Sequence, residues 1–206
     1  MPASKSMWKS LLVGLVLGVV GLIVARYLTI KPNDVHYHAN FGLYVNGVRD
    51  DFKNFTFYEE IQSCDAHGSD NPKTRAHMHD NNNHVVHVHD HAVTWGAFFD
   101  NLGYHLGDKV IETDKGVFAD AQAGNHLTFW LNNQPVDSIA NRIIGDKDVL
   151  LVSYGSDDAA GLKKQYDSIP HDAEKFDKGS DPASCSGAEK LTFTTKLKKA
   201  VGINQP

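Results

Sequence analysis

The chain has 206 residues, of which 41% are hydrophobic, so it can form one ordinary domain with appendages. Its formal net charge of -5 at pH 7 argues against general nucleic-acid binding, because that function needs a basic surface. Twelve histidines make the charge of the chain sensitive to pH below about 6.5.

The N-terminal part of the chain is apolar enough to cross a membrane. Residues 11–25 carry no charge, and the apolar character on both sides of them predicts a transmembrane signal anchor over residues 10–30. Lys5 and Lys9 precede this anchor, so the positive-inside rule places residues 1–9 in the cytoplasm. A cleaved signal peptide is the alternative. Either way, we expect the rest of the chain on the extracytoplasmic side of the cell membrane, held to the lipid bilayer by a single helix if the anchor is uncleaved.

The first predicted strand covers residues 36–46, where polar and apolar side chains alternate. The alternation directs His36 and His38 to one face and a row of apolar side chains to the other: Tyr37, Ala39, Phe41, Leu43 and Val45. The dipeptide Asn46-Gly47 then predicts a tight turn. Residues 49–75 end in a polar stretch and are predicted to form a loop-rich insertion.

A histidine-rich hairpin is predicted next, with its turn at Asp80–Asn83. Side chains two positions apart on a strand share one face. The pairs His77/His79 and His87/His89 therefore each direct two imidazoles the same way, as His36/His38 does. The residues between them point to the opposite face: Met78, Val86 and Val88.

One helix and further strands complete the predicted domain. Thr94 is predicted to begin a helix that Gly103 ends. Strands are predicted over residues 109–113, 117–118, 126–131 and 149–154. Strands around one amphipathic helix predict an α+β fold over residues 34–155, a mixed sheet with one packed helix.

Residues 156–206 are polar and are predicted to form a C-terminal extension. Within it, the cationic segment 189–201 is interpreted as a solvated helix, with a contact to a membrane surface or a partner as the alternative.

Two resemblances concern the predicted domain. Residues 126–155 (HLTFWLNNQPVDSIANRIIGDKDVLLVSYG), with the Asn46-Gly47 turn and the helix TWGAFFDNLG, resemble a β-grasp domain of the transcobalamin-like, ligand-binding group. That resemblance implies a fold and carries no function. In a β-grasp sheet one face packs on the helix, so the histidine pairs are expected on the open face.

The histidine spacing is similar to that of a poorly characterised family of membrane-anchored or secreted prokaryotic proteins. The matching stretches are His36-Tyr37-His38, His77-Met78-His79-Asp80, His87-Val88-His89 and Thr94 to Gly103. Family members often carry Glu where this chain has His89, and usually Leu where it has Trp95. The resemblance implies a metal site in an extracytoplasmic setting.

Paired imidazoles on neighbouring strands are typical of a transition-metal site. The predicted ligands, on strands about 4.8 Å apart, are His36, His38, His77, His79, His87 and His89. Additional candidates are His84 and His91 as ligands, and Asp80 and Asp90 as partners that orient a ring N–H. Zinc and copper fit an all-imidazole set equally well, with either one ion or two neighbouring ions.

The two cysteines, Cys64 and Cys185, predict a disulfide, since the compartment is expected to be oxidising. The alternative is that Cys64 is a metal ligand beside His67, although one Cys-x-x-His without a second cysteine pair is an incomplete zinc pattern.

Three functions fit these features. The first is a membrane-anchored extracytoplasmic protein that captures, stores or transfers Cu or Zn through several exposed histidines. The second is an envelope protein-interaction subunit whose histidine cluster is structural or sensitive to pH. The third is a His-ligated metalloenzyme. The sequence contains no His-Glu-x-x-His or comparable catalytic motif, which favours a role without catalysis.

Overall fold

The computed structural model describes residues 5–31, 35–59, 71–177 and 192–203. The chain divides into two compact units. One unit is formed by residues 1–33 together with 188–206, and the other by residues 34–187.

The first unit contains the apolar N-terminal helix, α1 (Lys5–Thr29). Its part from Trp8 to Thr29 has 22 residues and a mean hydropathy of 2.4, and none of it is buried within the protein. The predicted apolar helix is thus confirmed, and it is long enough to cross a membrane. A second helix, which is the last in the described chain, packs against α1 in the same unit.

In its described residues, 35–59 and 71–177, the second unit is built from two sheets and three α-helices. Its helices are α2 (Trp95–Asn101), α3 (Ala159–Asp167) and α4 (Ala173–Phe176). The helix that packs on α1 in the first unit is α5 (Phe193–Ala200). The strands are β1 (Tyr37–Val45), β2 (Val48–Arg49), β3 (Ala76–His77), β4 (Val85–Val88), β5 (His105–Leu106), β6 (Val110–Thr113), β7 (Gly116–Ala119), β8 (His126–Leu131), β9 (Gln134–Val136) and β10 (Val149–Gly155).

The main sheet has the strand order β3-β4-β1-β10-β8-β9, and β2 pairs with β1. Strands β1 and β10 are parallel, whereas the other pairs of this sheet are antiparallel. Strands β5, β6 and β7 form a separate antiparallel sheet. The predicted α+β class with a mixed sheet is therefore confirmed.

Helix α2 packs on one face of the main sheet. The hydroxyl of Thr94 accepts a hydrogen bond from the Ala97 amide at 3.2 Å and so begins the helix, as predicted. The Phe98 and Phe99 rings lie 5.0 and 6.0 Å from the ring of Phe41 on β1. The alternation predicted for the strands is observed in this layer. Tyr37 and Val45 at the ends of β1 are partly buried against the core, and the other side chains expected there are fully buried: Ala39, Phe41, Leu43, Met78, Val86 and Val88.

The opposite face of the sheet is covered as well. Helix α3 places Tyr166 in a smaller apolar core, and Ile169 follows it there. The lack of a side chain at Gly42 makes room for Ile169, since a Cβ at that position would come within 2.9 Å of the isoleucine Cγ1. Residues 168–177, here called the cover segment, then run across β1 and contain α4.

Asn40 on β1 ties the cover segment down. Its side-chain oxygen accepts hydrogen bonds from the amides of Asp172 and Ala173, both at 2.9 Å. Its side-chain nitrogen donates to the Asp172 carboxylate at 3.0 Å and to the His84 carbonyl at 3.2 Å. The expectation that this face is open is wrong for the part of the sheet around His38, since Asn40 on β1 binds the cover segment across it.

Candidate metal centre

The three neighbouring strands β3, β4 and β1 bring all six paired histidines to one side of the sheet. The register places His87 on β4 opposite His38 on β1 and also opposite His77 on β3. His36 and His89 lie directly beyond the ends of β1 and β4, and His79 lies two residues beyond the end of β3. We call this set of six imidazoles the histidine face: His36, His38, His77, His79, His87 and His89.

The histidine face is buried. Five of its six members are between 1% and 6% exposed, and only His36 is partly accessible. The cover segment contributes the Phe176 ring, whose centroid lies 5.9 Å from that of His38 and 6.0 Å from that of His87. The expectation of several exposed ligands is therefore wrong, because the cover segment folds over the strands that carry them.

Several imidazole nitrogens converge on one region. The His38 Nε2 atom lies 2.9 Å from Nδ1 of His87, and the His79 Nε2 atom lies 3.0 Å from the same Nδ1. His36, His38 and His87 each offer one donor atom, and these three atoms lie within 4.8 Å of one another. Nitrogens bound to one zinc ion at 2.0–2.1 Å are about 3–4 Å apart, so small movements of these rings would accommodate an ion.

The remaining rings of the face pack beside this trio. The His89 ring stacks on the His36 ring with centroids 4.7 Å apart and on the His77 ring at 5.0 Å. The His79 centroid is 3.7 Å from that of His87. His77, His79 and His89 thus surround the three convergent donors at short range.

Acceptor groups fix the tautomers of three of these rings. Nδ1 of His38 donates to the Asp177 carboxylate at 2.7 Å, and Nδ1 of His79 donates to that of Asp80 at 2.8 Å. Nδ1 of His77 lies 3.0 Å from the carbonyl oxygen of Lys73, which can only accept. In each neutral ring Nε2 then carries the lone pair, which is the form that binds a metal.

The environment also keeps two of these imidazoles neutral. Burial lowers the pKa of His87 far below its ordinary range, and the neighbouring imidazoles, first of all His79, lower it further. The same two causes, burial first and then the nearby His77 and His36, lower the pKa of His89 to about 2. At neutral pH both rings are therefore free of the second proton that would block coordination.

No protein-family model matches the chain, and no curated protein or solved structure matches it significantly.

The additional candidates have different surroundings. Asp80 orients His79, as expected of a partner that holds a ligand ring. Asp90 accepts a hydrogen bond from Nε of Arg75 at 2.7 Å. His84 lies 3.2 Å from the Asp172 carboxylate, with its pKa lowered mainly by burial, and His91 is exposed.

Three other histidines lie apart from the trio. His105 and His126 are exposed and bond to Asp100 and Asp120. His171 is exposed and packs its ring against that of Tyr166. The predicted disulfide between Cys64 and Cys185, and the alternative ligand pair of Cys64 with His67, lie outside the described residues.

Two contributors to the site were not predicted. Asp177 orients His38 from a position 139 residues along the chain. Phe176 covers the two rings at the centre. The polar sequence from residue 156 onward contains no periodic pattern that indicates which of its many aspartates reaches a strand.

Proposed function

We propose that this is a membrane-anchored extracytoplasmic protein that holds a divalent transition metal, Zn²⁺ or Cu²⁺, through the histidine face. The observation that carries the proposal is the convergence of donor atoms from His36, His38 and His87 within 4.8 Å of one another. Sheet strands, rather than loops, hold two of these rings, so the donors are positioned before any ion arrives.

The chemistry of the donors favours a borderline or soft transition metal over a hard cation. Imidazole nitrogen suits Zn, Cu and Ni, whereas Mg²⁺ and Ca²⁺ prefer oxygen. Met78 lies in the apolar core on the other face, so its sulfur is directed away from the histidines. This position favours a ligand set made only of imidazole nitrogens. His77, His79 and His89 are the source of a fourth ligand or of a second, neighbouring ion.

The burial of the face favours retention of the ion over rapid exchange at an open surface. An ion bound there is shielded by Phe176 and by the chain around Asp177, so we propose storage or regulated transfer. Asp177 and Asp80 support the same role, because a carboxylate on the far ring nitrogen raises the basicity of a ligating histidine.

The membrane placement is a second part of the proposal. Helix α1 would cross the cell membrane with its N-terminus inside, since Lys9 lies at that end and lysines before a span are retained in the cytoplasm. The histidine face would then operate outside the cytoplasm, where a partner in the envelope could deliver or receive the metal.

We also propose a β-grasp relationship for the domain. Its first and last long strands, β1 and β10, form a central parallel pair, and the helix α2 between them in sequence packs on one face of the sheet. This arrangement supports the resemblance to the transcobalamin-like β-grasp group and to the prokaryotic family with the same histidine spacing.

Metal content is the direct test of the proposed function. Full-length protein, purified in detergent without a histidine tag, should contain near-stoichiometric Zn or Cu by plasma mass spectrometry. His87→Ala should lower the affinity about 100- to 1,000-fold in a chelator competition, since one ligand contributes roughly a quarter of the binding free energy of a structural zinc site.

His105→Ala is the matched control, because His105 is exposed and lies on another strand. It should keep the affinity of the unsubstituted protein. A protein that contains no metal and binds neither added Zn²⁺ nor Cu²⁺ more tightly than micromolar would refute the proposal. The His38–His87 and His79–His87 contacts would then be a hydrogen-bonded network, as the interaction-subunit hypothesis expects.

A further inference from the structure

Helix α5 presents an apolar face to its surroundings. Phe193, Leu197 and Val201 follow one another at helical spacing and are 69%, 39% and 42% exposed. Ile203, just beyond the helix, is 58% exposed. Large apolar side chains grouped in this way on a short helix favour contact with another apolar phase over water.

The polar side of α5 is cationic. Its lysines are Lys196, Lys198 and Lys199, and no acidic residue occurs among the described residues 192–203. At helical spacing, Lys196 and Lys198 lie on either side of the apolar stripe. That position allows their ammonium groups to reach an anionic layer while their stems lie along the apolar one.

Helix α5 docks beside the C-terminal end of α1. The Phe193 ring lies 5.8 Å from the Tyr27 ring, and the ammonium of Lys196 lies 4.7 Å from the centroid of that ring. Arg26 donates a hydrogen bond to the carbonyl of Lys199 at 3.3 Å. That carbonyl also accepts a hydrogen bond from the Gly202 amide at 3.1 Å, so the arginine adds a second contact at the C-terminal end of α5.

These contacts place α5 at the level where α1 leaves the membrane. Arg26 and Tyr27 lie near the C-terminal end of α1, and residues of these types are common at the boundary between hydrocarbon and headgroups. A helix docked on them has its exposed apolar face at the same depth.

We propose that α5 is a second membrane contact, which lies in the surface of the bilayer that α1 spans and binds anionic phospholipid headgroups. Phe193, Leu197 and Val201 enter the boundary of the acyl chains, and the lysines bind lipid phosphates. This inference goes beyond the proposed metal function and rests only on the placement of α1 in the membrane.

A lipid surface fits this face better than a protein partner because the face is continuous with the exposed apolar surface of α1. The described side chains of α1 are almost all exposed, and they require hydrocarbon around them. The positive charge beside the apolar stripe complements an anionic bilayer and would repel a second copy of the same helix.

Fluorescence quenching in vesicles tests the inference. Full-length Phe193→Trp and, as a matched control on the opposite side of α5, Thr195→Trp are reconstituted into phosphatidylcholine vesicles with and without phosphatidylglycerol. The emission of the wild-type protein, which contains the three native tryptophans, is subtracted. Brominated lipids should quench the tryptophan at 193 about threefold or more over that at 195, as expected of a helix lying flat in the interface.

The dependence on anionic lipid is the second readout. Phosphatidylglycerol should increase the quenching at 193, and replacement of the three lysines by Gln should remove that increase. Equal, weak quenching at 193 and 195 would overturn the inference. A blue-shifted tryptophan at 193 that brominated lipids do not quench would also overturn it, since a protein surface would then cover α5. Extraction of the whole chain by alkaline carbonate would overturn it by showing that α1 is not inserted. None of these results depends on bound metal.

Discussion

Strands β3, β4 and β1 have two buried faces of opposite chemistry. On the side of α2, Ala39, Met78, Val86 and Val88 are fully buried, and they pack against aromatic rings. On the other side, the intervening histidines are almost as deeply buried, and they pack against one another. The same alternation of side chains therefore produces a conventional core on one face and a polar cluster on the other.

The difference shows where this domain gains stability and where it loses some. Each buried valine, leucine, phenylalanine or methionine side chain contributes about 1.5–3 kcal/mol to folding. A buried imidazole contributes much less, since it loses water and must find a hydrogen-bond partner in the protein. Six buried imidazoles therefore add little to folding stability. The binding of a ligand explains their presence better than folding does.

The largest effect is expected on the apolar face. Phe98→Ala removes a fully buried ring and should lower the free energy of unfolding by about 3–5 kcal/mol, measured by chemical denaturation in detergent. At temperatures where the variant stays folded, its metal affinity should match that of the wild-type protein. A large loss of affinity would show that the two faces are not independent.

Acid should act through the histidine face. The folded-state pKa values of His87 and His89 lie below the unfolded value of about 6.5, so the unfolded chain binds protons that the folded protein does not. Stability of the metal-free protein should therefore fall as the pH drops below about 6.5, by about 1.4 kcal/mol per pH unit for each of the two groups.

Denaturation midpoints of the metal-free protein at several pH values between neutrality and mild acid would measure this slope. His105→Ala should retain the slope, because its side chain lies outside the cluster. A stability that does not change with pH in this window would show that His87 and His89 are not buried as neutral rings.

A smaller effect is expected at the edge of the histidine face. Asp177→Asn should weaken metal binding about 10- to 100-fold, because loss of the carboxylate that orients His38 reduces the basicity of that ligand. Asp167→Asn is the matched control, since Asp167 is exposed and paired with Lys163 on helix α3. Equal affinities of the two variants in the chelator competition would show that Asp177 has no positioning role.

Alternation and turn residues were sufficient to predict the elements that carry the histidines. The strand predicted over residues 36–46 is β1, and that over 126–131 is β8. The predicted hairpin is formed by β3 and β4, and Asp80 and Asn81 in its turn have the positive φ angles that a tight turn demands. Period-two patterns are local, so one sequence suffices to find them.

The parts that depend on distant contacts could not be predicted. Helices α3 and α4 lie in residues 156–206, which the sequence predicts only as a polar extension. Both helices nevertheless belong to the same compact unit as the sheet. Asn40 resembles any other polar residue on an exposed face, and its role becomes visible only when Asp172 and Ala173 are beside it. The burial of the histidines follows from this contact. Because the sequence does not reveal the contact, exposed ligands were expected.

The sequence separation of the contacts at the histidine face implies an order of assembly. His79 and His87 are 8 positions apart and can meet as soon as their hairpin forms, whereas the contacts of Asn40 with Asp172 and of His38 with Asp177 span 132 and 139 positions. Contacts between distant residues form slowly, because the entropy of closing a long loop must be overcome first. We therefore expect the hairpin imidazoles to meet during folding while still open to solvent, and the segment that encloses them to arrive last.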